Sequence, residues 1–231
     1  MIQLIPDIAG FGVVLCLSSY GLGIWLKSKL RYAMFNPLLL AVIMIIVFLS
    51  LSGIEYNQFR ENSSQLSYLL TPATVSLAIP LSKQIKILKN HYKAILIGFM
   101  CGVLSSLGCV LGLSILFHHT YQEYITLLPK SITTAIGMGI SEELNGNSNI
   151  TIAAIIITGI LGNILAEWIC RITHIKSKVA RGVAIGCSSH AIGTAKAVQM
   201  GEVEGAVSSL SLIVTGIITV ILAPVFAQIA I

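Results

Sequence analysis

Charge is what this sequence has least of. Asp, Glu, Lys and Arg make up 10% of its 231 residues, against 55% hydrophobic residues, where a soluble domain carries roughly a quarter charged residues. So thin a polar complement cannot cover a water-facing surface. It excludes a soluble domain and leaves lipid as the solvent for most of the chain. Paired cysteines are missing too. Cys16, Cys101, Cys109, Cys170 and Cys187 are scattered, with no Cys-x-x-Cys and no Cys/His cluster at ligand spacing. Neither a disulfide, a metal site nor a cofactor is expected. The N-terminus lacks a basic n-region and an Ala-x-Ala-like cleavage site, so residues 8–26 read as a retained span rather than a signal peptide. The net charge of +5 sits in short loops between apolar runs, where topology explains it and nucleic-acid binding does not.

What is present is apolar length. Runs at 8–26, 37–54, 94–117, 150–170 and 206–229 each approach the ~20 residues that cross the hydrocarbon as a helix. Segments 66–81, 124–140 and 181–198 are also apolar, but Pro, Gly, Ser and Thr interrupt them. Irregular backbone survives at membrane depth only where protein or a wet cavity satisfies it, so these broken segments are the informative ones. The expected fold is an all-α polytopic membrane protein of about seven transmembrane helices, with 124–140 as one re-entrant hairpin.

Charges set the orientation. Lys27, Lys29 and Arg31 form one basic cluster, Lys83, Lys86, Lys89 and Lys93 a second, and Arg171, Lys176, Lys178 and Arg181 a third. The positive-inside rule places these loops, at 27–33, 82–93 and 171–180, in the cytoplasm of a bacterial-type inner membrane. The N-terminus and the loops 118–123 and 141–149 then face outward, and the C-terminus is cytoplasmic. Because both flanks of 124–140 lie outside, that segment enters and leaves on one face. The triplet 37–54, 66–81, 94–117 and the triplet 150–170, 181–198, 206–229 run in opposite directions around a broken middle element. They outline an inverted repeat, about 34–117 and about 150–230, within a single membrane domain 1–231.

Three places could carry chemistry. In Thr71-Pro72-Ala73-Thr74 the proline favours the start of a half-helix, and Thr74 with Ser76 and freed amides could face an anion; taken alone, these residues read better as a Pro kink with back-bonded hydroxyls. Lys130 is the one basic residue in its segment, beside Pro129, Ser131, Thr133 and Thr134. A charge there costs roughly 3 kcal/mol on insertion scales unless paired or wetted, and with half-helix amides it would favour a carboxylate. A lysine snorkelling to the outer interface fits the same residues. Ser188-Ser189-His190-Ala191-Ile192-Gly193-Thr194-Ala195-Lys196 is the densest polar stretch in an apolar context, loosened by Gly182, Gly186 and Gly193. His190 there could donate to a carboxylate or carry a proton, the rival being a seam of small residues around a satisfied histidine. A shared cavity is expected for Thr74, Lys130, Ser131, Thr133, Ser189, His190 and Thr194, because three interrupted segments must satisfy their backbones together.

The remaining features have plainer readings. Gly98-x-x-x-Gly102 and Gly108-x-x-x-Gly112 suit close helix contact, within the chain or in a homo-oligomer. Gly201-Glu202-Val203-Glu204-Gly205 reads as an outer-face turn, a cation site being the weaker alternative. Glu167, the acid inside a span, sits four residues before Arg171 and reads as an i,i+4 pair. A Ser-His-Asp hydrolase lacks its acid, so no enzyme is expected.

The sequence resembles the LrgB/CidB membrane-protein family. The carriers are Phe35-Asn36-Pro37-Leu38-Leu39, Pro72-Ala73-Thr74-Val75-Ser76, Leu128-Pro129-Lys130-Ser131-Ile132-Thr133-Thr134, Thr158-Gly159-Ile160-Leu161-Gly162, Ser189-His190-Ala191-Ile192-Gly193-Thr194-Ala195 and Gly201-Glu202-Val203-Glu204-Gly205-Ala206. It departs at Thr71, where a Gly is common, and in the polar run 141–149. The resemblance implies one of two roles beside a small LrgA/CidA-type partner in the lipid bilayer. One is carriage of a small monocarboxylate of the pyruvate, lactate or glycolate class. The other is antiholin-like modulation of murein hydrolase activity and autolysis, without a transported substrate. A lysine beside a broken helix and a histidine inside a Gly/Ser-rich one favour carriage, with Thr74, Lys130, Ser131, Thr133, Thr134, Ser189, His190 and Thr194 at the substrate and His190 coupling protons.

Overall fold

The structure is a computed structural model that describes residues 10–30, 36–69, 72, 75–76 and 78–229. Among the described residues every regular element is a helix, and the chain forms two compact units, Met1–Ser76 and Leu77–Ile231. Among the described residues four helices are long and apolar enough to cross a membrane: Phe11–Lys29, Tyr92–Leu116, Ser148–Ile172 and Glu202–Ala227. In lipid, apolar side chains gain little by leaving a solvent as apolar as themselves. Close packing and buried hydrogen bonds therefore hold such helices together.

The first unit contains α1 (Phe11–Leu30), α2 (Pro37–Ser52), α3 (Tyr56–Asn62) and α4 (Ser64–Tyr68). α2 starts where Asn36 accepts from the Leu38 amide at 2.8 Å and Pro37 supplies a preset first turn. It ends at Gly53, whose φ of 66° is the left-handed stop that glycine takes without strain. Gly23 admits the backbone of Pro37 to contact, a methyl there meeting the Pro37 carbonyl oxygen at 2.7 Å. Part of the expected broken span 66–81, including Thr71 and Thr74, lies outside the described residues.

The second unit holds α5 (Ala78–Lys83), α6 (Ile85–Asn90), α7 (Tyr92–Leu116), α8 (Tyr121–Leu127), α9 (Thr134–Glu143), α10 (Ser148–Ile172), α11 (Lys178–Met200) and α12 (Glu202–Ala227). α8 begins in a capping box formed by Thr120 and Glu123. The chain then turns through residues 128–133 and returns as α9. At the open end of this hairpin Thr151 donates to the Thr126 carbonyl at 2.7 Å, and its hydroxyl lies 2.8 Å from that of Ser141. At the closed end Ser106, near the middle of α7, donates to Ser131 at 2.8 Å. Tyr124, Ile125, Leu128, Ile132 and Ile140 bury the hairpin against Val103, Leu107 and Val110 of α7 and Ala223 of α12.

α11 departs from expectation. Segment 181–198 was expected to cross the membrane, but the helix reverses at His190, whose φ of 42° and ψ of −139° are non-helical. Sixteen helical residues would separate Gly182 from Val198 by about 24 Å. Instead Gly182 abuts Glu204 and Val207, and Val198 abuts Gly205, all within the first two turns of α12. The two arms, 178–189 and 191–200, form a second hairpin with both open ends at the start of α12. Its tip rests on the middle of α10, where His190 Nε2 donates to the Ile155 carbonyl at 2.9 Å and Asn163 donates to the Ile192 carbonyl at 2.7 Å. The unit thus contains a long helix followed by a hairpin, twice.

Candidate functional site

Small residues on the long helices make room for the second hairpin. A methyl at Gly98 would meet Val183 at 2.9 Å, and one at Gly102 would meet Cys187 at 2.9 Å, so the first arm of the second hairpin lies directly on α7. Gly108 and Gly112 face nothing within 4 Å, so only the first of the two glycine pairs is a packing seam within this unit. On α10, any side chain at Gly162 would strike Ser189, and a methyl at Gly159 would meet the His190 ring at 2.6 Å. The tip of the second hairpin is seated where α10 has no side chain.

Between the tips is a cavity of about 480 Å³. α7 contributes Ser105, Ser106 and Cys109, α10 contributes Thr158, Leu161 and Leu165, and the second hairpin contributes Ala184, Cys187, Ser188 and Ser189. Lys130 and Ser131 close it from the first hairpin, with Lys130 Nζ donating to Ser131 Oγ at 3.1 Å. Ser131 in turn accepts from Ser106, and the hydroxyls of Ser188 and Ser189 are 3.0 Å apart. One half-buried ammonium and several hydroxyls thus face a mostly apolar space, which suits a small anion with a short apolar body.

The structure brings Lys130, Ser131 and Ser189 to this cavity and leaves Thr133, Thr134, His190 and Thr194 off it. The His190 ring is buried, 3% exposed, and bonded to the Ile155 carbonyl rather than lining the space. Thr194 is buried between the His190 carbonyl, 2.8 Å away, and the Ser208 hydroxyl, 2.9 Å away. Thr133 and Thr134 open α9 without lining the cavity. Thr74 is outside the described residues. Ser105-Ser106, adjacent hydroxyls midway along an apolar run, are the sequence signal that residue-by-residue reading passed over.

Two ion pairs tie the second hairpin down. Lys196 on its return arm meets Glu167 of α10 at 2.6 Å, a partner that i,i+4 spacing does not give. Arg181 on its first arm meets Glu204 of α12 at 4.0 Å. The glutamate expected on an outer turn, opposite the third basic cluster, therefore lies beside a member of that cluster. At the open end of the first hairpin, Glu123 accepts from the Thr120 amide at 2.7 Å and its hydroxyl at 2.9 Å. Those bonds hold its carboxyl below the usual range.

Comparison with known proteins puts this arrangement in company. A model of the LrgB-like family matches residues 16–229. The antiholin-like protein LrgB of Bacillus subtilis is 33% identical over 219 residues, 94% of this chain and 95% of that one. The holin-like protein CidB of Staphylococcus epidermidis is 36% identical over 200 residues, 87% of each chain. No solved structure matches.

Proposed function

The chain belongs to the LrgB-like family, and on that premise we propose that this multi-pass membrane protein carries a small monocarboxylate, of the pyruvate, lactate or glycolate class. The observation that carries the reading is Lys130, held by Ser131 at the wall of a cavity that Ser188 and Ser189 also line. The ammonium attracts the carboxylate, the hydroxyls bond its oxygens, and Leu161 and Leu165 accept its short carbon chain. His190 serves as a positioning residue, fixing the tip through its ring rather than touching substrate.

In this reading the basic loops lie in the cytoplasm of a bacterial inner membrane and the N-terminus lies outside. The first hairpin enters from the outer face and the second from the cytoplasmic face. Since 178–200 turns back rather than crossing, α12 runs outward, and the cytoplasmic C-terminus expected from charge alone moves to the outside. The repeat then pairs 92–143 with 148–200, each a long helix followed by a hairpin, of opposite sense in the membrane. A small LrgA/CidA-type membrane protein is the proposed partner.

A second reading has its own support. The relatives are named antiholin-like and holin-like, and those names speak more directly for modulation of a holin-type partner than for carriage. Uptake of labelled pyruvate, lactate and glycolate into proteoliposomes, with and without the partner, separates the two. Saturable flux supports the carrier. Absence of flux under every gradient, with the partner present, leaves the modulator.

A further inference from the structure

We infer that Ser106 is a positioning residue for the anion site, fixing the Ser131 hydroxyl so that its hydrogen and the spare N–H groups of Lys130 converge on one carboxylate. The inference rests on the carrier reading and adds to it a residue from α7. Hydroxyls inside a membrane helix ordinarily satisfy themselves on their own backbone. On α12, Ser209, Ser211, Thr215 and Thr219 each donate to the carbonyl four residues earlier, at 2.6–2.8 Å. Ser106 does not follow them. It donates away from its own helix, to Ser131 Oγ of the first hairpin at 2.8 Å.

That bond sets the geometry of the next. Ser131 is buried, 6% exposed, and its oxygen accepts twice, from Ser106 and from Lys130 Nζ at 3.1 Å. A hydroxyl oxygen has two lone pairs. With both engaged, the hydrogen has one direction left to it, and it meets no acceptor among the described residues. Ser131 lines the cavity, so that hydrogen is a donor kept for what the cavity holds. Lys130 spends one of its three N–H groups on Ser131, and the other two have no acceptor among the described residues. Three donors and one positive charge match the two oxygens of a single carboxylate. A hydroxyl that accepts twice also donates more strongly, and a donor fixed beforehand loses no orientation on binding. Without Ser106 the Ser131 hydroxyl is freer to turn about its Cβ–Oγ bond, and both advantages lapse.

The test reads binding, not flux. Purified protein in nanodiscs is titrated with sodium pyruvate, against sodium chloride at equal ionic strength. The half-saturating concentration is taken from the rise in unfolding temperature. Ser106→Ala removes the donor. Ser106→Cys, close in size but with only a weak S–H donor, is the second variant should the first misfold. Each should raise the half-saturating concentration about tenfold, the effect of losing one well-placed hydrogen bond at a charged site. Ser106→Thr keeps the hydroxyl and should stay within about threefold of the wild type. A purely structural serine would not sort its variants by donor strength. Unchanged pyruvate binding in the Ala and Cys variants, or a Thr variant as weak as they are, overturns the inference and leaves the carrier reading standing. A wild type that pyruvate, lactate and glycolate all fail to protect rejects the carrier reading, and the inference falls with it.

Discussion

The two hairpins of the second unit reverse the chain by different means. The first spreads its turn over residues 128–133, around Pro129, and its backbone stays in ordinary conformations throughout. Hydroxyls hold its open end and an apolar cluster its flank. The second reverses at one residue, His190, with a positive φ and neither proline nor glycine at the turn. Glycines on the neighbouring helices and two ion pairs hold it. A distributed turn announces itself in composition, whereas a single strained residue does not. The strained one persists because its surroundings over-determine it: the ring is fixed on Ile155, and the residues either side are clamped against α10 and α12.

The comparison can be broken at several points. The largest effect is expected at the cavity, where Lys130→Gln should reduce carboxylate uptake to background. Lys130→Arg should not restore it, since a planar fork does not replace a compact ammonium. Uptake near the native rate in Lys130→Gln would remove the first tip from the site. Gly162→Ala comes next. The added methyl overlaps Ser189, so the second hairpin must shift, at a cost of about 1–3 kcal/mol measured by thermal unfolding, while labelling of the first hairpin stays unchanged.

His190 sharpens the contrast. His190→Ala removes the bond to Ile155 and keeps the strained backbone, and should destabilise by about 1–3 kcal/mol. His190→Gly loses the same bond but relaxes the backbone, so it should be the more stable of the two. The reverse order would mean that the turn is not strained. The smallest effect belongs to Glu123, an exposed group. Its lowered folded value means its contribution is present above its ordinary value of 4.5 and lost as pH falls through the folded one. Thr120→Ala should flatten this acid-side dependence of the unfolding midpoint, which otherwise would be traced to another group.

What the sequence made legible follows the same division. Apolar length located the four long helices, and the basic residues missing from 141–149 pointed to a doubled-back segment before it. Pro129 and Lys130 stood out because a proline and a charge in an apolar run both demand explanation. The second hairpin was illegible because Gly182, Gly186 and Gly193 suggest only a loosened helix that still crosses. Two of them instead serve packing: Gly182 and Gly186 admit α12 to contact, and the reversal sits between them and Gly193. Glu204 was misplaced for the same reason, since a crossing at 181–198 puts Arg181 and Glu204 on opposite faces. His190 stood out as polar, but polarity does not tell whether a ring faces a cavity or a backbone carbonyl.

The central claim is that two hairpins reach one cavity from opposite faces of the membrane. Sided labelling of single cysteines, in sealed vesicles of both orientations, tests it most directly. Lys176→Cys and Glu202→Cys should react from one side, and Gln122→Cys and Asn147→Cys from the other. Reaction of Glu202→Cys from the side opposite Lys176→Cys would show that 178–200 crosses, and would contradict the account.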